Sequence, residues 1–405
     1  QKDSIFSRKQ YFYPDMPKGY QITQYDRPIA KGGFVDFYLE GEKVRVPLER
    51  AHMEEDAGKS THFGEYSLIN LNRAGTPLLE IVSKPEITSA AMAAAYARTV
   101  RQILRYAEVC DGNLEEGSLR CDCNVSIRPK GEETLGTKVE LKNINSFRFI
   151  EKAIEYEIQR QIQCKETDET IVQETRLYDS VKNKTFSMRK KEEANDYRYF
   201  PEPDLQPVIV TEKYIDEVRK TLPPLPNELF SIFTKEFGLS EYDANILIDE
   251  KGIALYFNEL CEYTENYKSA ANFVNGSVKS YLNEKAVTIA NFSISPQQLA
   301  SLITIVDEGK ISNTVATSKV FPAMLNSKNT AAEIASENNW VQESDSDALG
   351  DYITQAIDKY PEKVAEYKGG KKGLIGLFMG EVMKLSKGQA DPKLANQLLR
   401  TELEK

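Results

Sequence analysis

The stretch EEGSLRCDCNVSIR, residues 115–128, alternates polar and apolar side chains at almost every position. Successive side chains of a β-strand point to opposite faces, so this period of two predicts a strand with one buried and one polar face. After a glycine-containing loop, residues 138–142, KVELK, repeat the alternation. Together the two runs predict an antiparallel hairpin whose polar face brings Glu116 or Asp122 near Glu140.

The polar face of this hairpin admits two interpretations. Most alternating hairpins simply turn such a face to water, and on pattern alone the solvated face is favoured. The alternative is a site for a hard cation, because magnesium prefers oxygen ligands and commonly bridges phosphates. The ligand candidates are then Glu116, Asp122 and Glu140. The neighbouring cations able to take phosphate charge are Arg120, Lys138 and Lys142.

A second acidic cluster is HMEEDAGKS, residues 52–60. Its Gly-Lys-Ser end suggests a phosphate-binding loop, but the first glycine of that motif would fall on Met53, which excludes it. The cluster can still add a metal ligand, Glu55, and a phosphate lysine, Lys59, although an isolated stretch of this kind is more often an exposed turn. The chain has only two histidines, which argues against a histidine-based metal or catalytic cluster.

Other residue types common in catalytic sites give weak signals. Cys121 and Cys123 form a Cys-x-Cys pair without a second pair, which is more typical of buried thiols than of zinc ligands. The chain contains no Gly-x-Ser-x-Gly motif, and we find no convincing hydrolase nucleophile.

The rest of the first half mixes strands and helices. Residues 20–25 and 43–48 have the character of strands, whereas helices are predicted over residues 89–109 and from 146 to about 164. The first of these helices begins near Thr88-Ser89, which can cap it. Strands interleaved irregularly with helices predict an α+β fold rather than a doubly wound sheet.

A cluster of prolines marks a domain boundary. Three prolines lie within residues 223–226, and they can continue neither a helix nor a central strand. Beyond them the apolar pattern is helical, and residues 295–298, SPQQ, form a capping box with proline at the first helical position. We predict an α+β domain over residues 1–222, an all-α domain over 223–335 and a small all-α tail over 336–405.

Composition and charge narrow the class of protein. The 405 residues carry a net charge of −10, which argues against indiscriminate nucleic-acid binding but leaves room for a local basic patch. Because no apolar run approaches the ~20 residues that span a bilayer, and no signal peptide opens the chain, we expect no membrane association. Five cysteines without a disulfide-like framework fit a reducing cytoplasm. The chain does not begin with Met, as expected for a fragment or a trimmed product.

The tail contains a basic patch. Between residues 367 and 388 five lysines accompany a single acidic residue, Glu381, and nearby glycines permit close approach to a phosphate chain. A solvated lysine-rich helix face has equal support from the pattern alone. The five lysines are Lys368, Lys371, Lys372, Lys384 and Lys387.

Several of these stretches resemble signature blocks of the B-subunit family of aspartyl/glutamyl-tRNA amidotransferases (GatB). Long blocks in a fixed order are far more specific than one short motif, and the resemblance covers essentially the whole chain. The family begins with a further stretch of roughly seventy residues bearing a Glu-Val-His motif that contributes to the metal site, and the present sequence does not include that stretch. If the whole protein lacks it as well, we expect an incomplete metal site; if only this sequence is trimmed, we expect the function to stand. The blocks are YFYPD (11–15), GYQITQY (19–25), HMEEDAGKS (52–60), LNRAGTPLLEIV (71–82), EEGSLRCDCNVSIRP (115–129), ELKNINSFR (140–148), DYRYFPEPDL (196–205) and GQADP (388–392).

The resemblance implies a cradle-shaped α+β domain similar to the glutamine synthetase and guanido kinase fold, followed by a helical domain and a YqeY-like tail. It implies a carbon–nitrogen ligase that uses ATP and Mg²⁺ to phosphorylate the side-chain carboxylate of Glu-tRNA(Gln) or Asp-tRNA(Asn). The acyl phosphate supplies a good leaving group, and ammonia then gives Gln-tRNA(Gln) or Asn-tRNA(Asn). The implied partners are a glutamine-hydrolysing amidase (glutaminase), a small third protein of the same heterotrimer and misacylated tRNA.

The resemblance also assigns roles to residues of this sequence. The favoured catalytic metal ligands are Glu55, Glu116 and Glu140, with Asp122 as a further ligand, directly or through water. The candidates for binding ATP phosphates are Lys59, Arg120 and Lys142, and the five tail lysines become candidates for contacting tRNA. Glu54 and Glu115 stay as alternatives to their neighbours, because a bulge would exchange which carboxylate faces inward.

Two other functions compete with this one. The first is a stand-alone ammonia ligase of the glutamine synthetase type, which would act on a free amino acid without tRNA or a partner; the basic tail speaks against it. The second is a non-catalytic tRNA-binding assembly protein, which the missing N-terminal stretch favours. Metal binding at the hairpin separates this second function from an enzyme.

Overall fold

The computed structural model describes residues 1–190, 197–341, 346–386 and 390–404. The chain forms two compact units, residues 1–227 and residues 228–405. The first unit mixes strands with helices, and the second is helical. An α+β part followed by a helical part is therefore confirmed, whereas the bounds of the three predicted domains stay a prediction. Among the described residues, no helix combines the length and the apolar character needed to cross a bilayer.

The first unit is built from short strands in several small sheets and from three helices within its described residues. The strands are β1 (Asp3–Ser4), β2 (Ser7–Gln10), β3 (Tyr20–Thr23), β4 (Ala30–Lys31), β5 (Phe34–Leu39), β6 (Glu42–Glu55), β7 (Lys59–Phe63), β8 (Tyr66–Asn70), β9 (Pro77–Ser83), β10 (Cys123–Val125), β11 (Val139–Lys142), β12 (Glu174–Asp179), β13 (Lys184–Lys190), β14 (Tyr199–Pro201) and β15 (Val208–Ile209). The helices are α1 (Ala90–Tyr106), α2 (Phe147–Glu166) and α3 (Glu212–Thr221). The strand orders are β4-β6-β5 with β9 on β6, β10-β11-β12-β13, β14-β2-β3, β1-β15 and β7-β8.

The 14-residue strand β6 organises the sheet that positions the candidate site. Its first half pairs antiparallel with β5, and its second half pairs antiparallel with β9, which places His52 opposite Glu80. Because side chains alternate along a strand, His52 and Glu54 share one face of β6 and Glu55 lies on the other. The end of this strand therefore presents carboxylates on both faces.

The hairpin predicted from the alternating sequence is present but shorter than predicted. Its strands, β10 and β11, have three and four residues and pair antiparallel. Residues 113–119 form a turn instead of a strand, because the carboxamide oxygen of Asn113 accepts the backbone N–H groups of Glu115 and Glu116. Side-chain bonds to the backbone compete with a strand ladder. A strand beginning at residue 115 is therefore wrong.

Helices α1 and α2 pack against the sheets that carry these strands. The hydroxyl of Ser89 caps α1, as the sequence predicted, and that of Ser146 caps α2. One face of α1, rich in alanine, shares a core with Leu141 of β11 and Ile150 of α2. Another part of α1, around Tyr96, packs against the core under β5 and β6. Helix α1 therefore joins the sheet of β6 to the sheet of the hairpin.

From Pro226 onward, the regular elements within the described residues are helices. The α-helices are α4 (Pro226–Ser231), α5 (Glu241–Ile248), α6 (Lys251–Leu260), α7 (Tyr267–Phe273), α8 (Lys279–Lys285), α9 (Pro296–Asp307), α10 (Asn313–Val315), α11 (Phe321–Met324), α12 (Ala331–Glu337), α13 (Ser346–Asp358), α14 (Pro361–Lys368), α15 (Ile375–Leu385) and α16 (Pro392–Glu404). π-Helical turns occupy Ile232–Glu236, Val274–Val278 and Ala316–Val320. The remaining short elements are 3₁₀ turns at Ile289–Asn291 and Lys372–Leu374.

Local helix signals in this half are confirmed. Ser295 and Gln298 form the reciprocal capping box at the start of α9, and the chain leaves that helix at Gly309, whose φ is +72°. Helices α13–α16 pack around a core of their own that includes the fully buried Leu349 and Phe378.

Candidate metal centre

Strands β6 and β9 bring together a histidine and two carboxylates that are distant in sequence. The Nε2 atom of His52 lies 3.8 Å from Oε2 of Glu54 and 3.7 Å from Oε2 of Glu80. The hydroxyl of Thr23 donates to the same oxygen of Glu54 at 3.3 Å, which orients that carboxylate. We call His52, Glu54 and Glu80 the β6–β9 cluster. One nitrogen and two oxygens within this distance form a donor set that a single divalent cation can engage.

The β6–β9 cluster has the electrostatic character of a cation site. His52 is only 5% exposed, and its Nδ1 atom is buried without a hydrogen-bond partner. Among the residues that the structure describes, no lysine or arginine forms an ion pair with Glu54 or Glu80. Two carboxylates without a neutralising side chain attract a cation strongly. The sequence argued against a histidine-based metal cluster, whereas the structure places His52 beside two carboxylates, one of which comes from a paired strand.

Glu55, a predicted metal ligand, lies on the opposite face of β6. Its Oε1 atom accepts from Nζ of Lys18 at 2.5 Å and from the backbone N–H of Ile22 at 2.8 Å. Its Oε2 atom points toward Gly75, where an added Cβ would lie 3.8 Å away. Lys18 already supplies a positive charge to this carboxylate, so Glu55 has less need of a metal than the β6–β9 cluster has.

The neighbouring Asp56 is buried and connects three segments of the chain. Its Oδ2 atom accepts from Arg73 at 3.0 Å and from Arg120 at 2.5 Å. The same Arg73 donates to the carbonyl oxygen of Gly117 at 2.9 Å. Arg120, predicted to bind phosphate, is therefore bound to a carboxylate in this structure, and its guanidinium stays about half exposed.

The polar face of the hairpin gathers two of the predicted acidic residues around a lysine. Nζ of Lys142 lies 2.9 Å from Oδ2 of Asp122 and 3.5 Å from Oε1 of Glu140. Burial disfavours the charge on Lys142. Its hydrogen bonds to the Asp122 and Glu140 carboxylates, and their negative charge, outweigh this effect and raise the Lys142 pKa. The hydroxyl of Thr175 donates to the other oxygen of Glu140 at 2.7 Å. Asp122 and Glu140 are thus brought together, with Lys142 between them.

The remaining predicted residues are more exposed. Glu116 lies in the turn of residues 113–119, with its backbone N–H bound to Asn113. Lys59 begins β7, and its side chain is exposed. The contacts of Glu140 described above are with Lys142 and Thr175, and they include neither Glu116 nor Lys59.

The tail lysines divide into two groups. Lys371 is ion-paired with Glu366 at 3.0 Å, and Lys372 lies 3.9 Å from Glu404 and 4.3 Å from the centre of the Tyr367 ring. Lys368 ends α14 and Lys384 lies in the last turn of α15, and neither is ion-paired within the described residues. Lys387 lies outside the described residues.

Strand pairing carries a signal for the β6–β9 cluster that single-segment patterns do not. The segments HMEED and PLLEIV both have strand character, and pairing them antiparallel places the histidine of one opposite the glutamate of the other. Cross-strand pairs of metal-binding residue types would have pointed to His52 and Glu80. Asp56, by contrast, had no local signal, because its arginine partners lie 17 and 64 residues away.

Comparisons with known proteins agree with this arrangement of a mixed unit followed by a helical one. Residues 1–216 match the family model described as the GatB/GatE catalytic domain, and residues 255–403 match the model described as the GatB domain. The B subunit of the aspartyl/glutamyl-tRNA(Asn/Gln) amidotransferase of Bdellovibrio bacteriovorus is 51% identical over 403 residues, which are 99% of this chain and 84% of the relative. The corresponding protein of Persephonella marina is 48% identical over 398 residues, covering 98% of this chain and 84% of the relative. The chain therefore belongs to the GatB family.

Proposed function

We propose that this chain is the B subunit of a tRNA-dependent amidotransferase that converts Glu-tRNA(Gln) or Asp-tRNA(Asn) to Gln-tRNA(Gln) or Asn-tRNA(Asn). The chain would phosphorylate the side-chain carboxylate of the misacylated amino acid with ATP, and ammonia would displace the phosphate. Membership of the GatB family supports the reaction class. The observation that carries the proposal is the β6–β9 cluster, a buried histidine facing two carboxylates that no cationic side chain among the described residues neutralises.

The β6–β9 cluster offers a divalent cation two carboxylate oxygens, the donor type that Mg²⁺ prefers, and one imidazole nitrogen. His52, Glu54 and Glu80 would hold it, with Thr23 orienting Glu54. When bound, the cation would neutralise the charge that develops on the phosphates of ATP during transfer. Glu55, Glu116, Asp122 and Glu140 remain further candidates, although Glu55, Asp122 and Glu140 already have lysine partners.

The cationic side chains near these carboxylates would bind and orient phosphate groups. Lys142 sits between Asp122 and Glu140, which keep it protonated, so it can present a fixed positive charge. Lys59 is exposed and can reach a ligand. Arg120 keeps about half of its side chain exposed while bound to Asp56, so it too can contact a phosphate. Positioning by such groups supplies most of the catalysis in phosphoryl transfer.

The mixed unit would adopt the cradle fold of glutamine synthetase and guanido kinases, and the tail would be YqeY-like. The arrangement of small, mostly antiparallel sheets packed on α1 and α2 supports the first assignment. In the tail, exposed Lys368 and Lys384 support contact with the phosphates of tRNA, because they have no acidic ion-pair partner among the described residues. The protein partners would be an amidase, which releases ammonia from glutamine, and the small third protein of the heterotrimer.

The test is ATP turnover by the purified heterotrimer. We expect ADP to form only when Mg²⁺ and misacylated tRNA are both present, and glutamine to convert the product to amidated tRNA. Turnover with free glutamate in the absence of tRNA would instead identify a stand-alone ammonia ligase. Tight tRNA binding without any ATP turnover would identify a non-catalytic assembly protein. Unchanged turnover in Glu140→Ala would remove Glu140 from the site.

A further inference from the structure

We propose that Asp56 is a positioning residue that fixes residues 113–120, the acidic loop, against the end of β6. The acidic loop carries Glu116, and the strand end carries Glu55, so their separation depends on what joins the two segments. The proposal rests on the proposed function only for its effect on turnover. The effect on the loop itself follows from contacts within this chain.

The first step is the concentration of charge on one oxygen. Oδ2 of Asp56 accepts hydrogen bonds from Nε of Arg73 at 3.1 Å and from Nη2 of Arg120 at 2.5 Å, and it lies 3.0 Å from Nη2 of Arg73 in an ion pair. The carboxylate is 7% exposed, whereas the two guanidinium groups are 43% and 53% exposed. Because the carboxylate is buried, it depends on the two arginines and not on water for its stabilisation. The more exposed arginines, by contrast, could each be solvated by water without it.

The second step is that the two arginines come from different segments. Arg120 lies at the end of the acidic loop, 64 residues after Asp56. Arg73 lies in the turn before β9 and reaches the same loop by donating to the carbonyl of Gly117. The loop is therefore held at two points, once through its backbone and once through a side chain, and both points lead to Asp56.

The third step is the close fit of the backbone around this junction. The N–H of Asp56 donates to the carbonyl of Thr76 at 2.8 Å, and its own carbonyl accepts the N–H of Gly75 at 2.9 Å. Gly117 has a φ of +76°, and a Cβ there would lie 3.3 Å from Nη1 of Arg73. A left-handed backbone in close contact with a guanidinium favours glycine. The junction is thus built into both the main chain and the side chains.

The geometry also separates the role of Asp56 from that of a metal ligand. Its Oδ2 atom is occupied by two cations, which leaves little negative charge for a metal. Within the described residues, the group able to hold a metal comprises His52, Glu54 and Glu80, without Asp56. Asp56 therefore acts through the loop it holds.

Asp56→Asn is the informative variant, because the amide keeps the size of the side chain and removes the charge. We expect amide hydrogen exchange in residues 113–120 of the full-length chain to accelerate at least about tenfold, with exchange in β6 and α1 unchanged. In the heterotrimer, KM for ATP should rise about 10- to 100-fold, as for other groups that orient a site from outside it. Asp56→Glu, which restores the charge, should recover part of both effects.

Asp26→Asn, at an exposed position in the same unit, is the control and should change neither measurement. If the amides of the acidic loop exchange as slowly in Asp56→Asn as in the wild type, the proposal is overturned. Accelerated exchange throughout residues 1–227 would also overturn it, since Asp56 would then serve the stability of the whole unit. If the wild-type heterotrimer turns over no ATP, the proposed function fails, but the exchange experiment still decides the role of Asp56.

Discussion

Glu80→Gln tests the β6–β9 cluster directly. The side chain of Glu80 is 50% exposed, so an amide of the same shape leaves the fold intact and removes one charge from the cluster. Two unit charges about 4 Å apart interact by about 1 kcal/mol in bulk water and about 4 kcal/mol near a protein surface, and a divalent ion doubles both values. Because Glu80 is half exposed, its interaction energy with a bound divalent ion should lie between these limits. We therefore expect Glu80→Gln to weaken the binding free energy of the ion by at least about 2 kcal/mol, which is about 30-fold in affinity.

The assay is a titration of the full-length chain with Mn²⁺ in the absence of ATP, in which the electron paramagnetic resonance signal measures the concentration of free Mn²⁺. The titration is repeated with Mg²⁺ as a competing ion. Glu65→Gln, which removes an exposed carboxylate in the turn between β7 and β8, is the matched control and should bind Mn²⁺ as the wild type does. An affinity of Glu80→Gln within about twofold of the wild type would refute the assignment of the cluster as a cation site.

Three further predictions concern the core, the surface and the hairpin. Leu141→Ala, at a fully buried position, should lower the free energy of unfolding by about 2–5 kcal/mol in denaturant titrations; a loss below about 1 kcal/mol would contradict the packing described. The hydrogen bond from Arg45, with Lys43 assisting against the effect of burial, lowers the pKa of Asp36 to about 2. Because this pKa is below the unfolded value, the stabilisation is present above pH ~4 and is lost as the pH falls toward 2. Since both partners are more than half exposed, Asp36→Asn should cost at most about 1 kcal/mol near neutral pH, and unfolding curves of the two proteins should converge in acid. Lys142→Gln should raise KM for ATP about tenfold or more in the heterotrimer, because it removes the charge held between two carboxylates; an unchanged KM would contradict a phosphate-binding role for Lys142.

Local signals in the sequence predicted the helices well, because a helix start depends on residues within one turn. Ser89 and Ser295 each cap a helix as predicted, and α2 begins next to Ser146, where its start was predicted. The alternating stretch was less reliable. Asn113, which precedes it, binds the backbone of the turn and prevents a strand there.

The candidate site could be predicted only in part. The sequence predicted that Glu116 or Asp122 would lie near Glu140, and in the structure Asp122 and Glu140 both contact Lys142. The β6–β9 cluster and the arginine partners of Asp56 depend on which strands pair and which loops meet. Those long-range contacts are set by packing of the whole unit, and no local pattern encodes them.

The pairing of β6 with β9 also has a consequence for the order in which the site can assemble. The hairpin of β7 and β8 fills the connection between these strands, so the β6–β9 cluster closes within a single stretch of about forty residues, a short loop by the standard of loop-closure entropy. The junction of Asp56 with Arg120 must close a longer loop, across α1. Contacts between residues near in sequence form faster than distant ones. During synthesis, the β6–β9 cluster can therefore form before the acidic loop has left the ribosome.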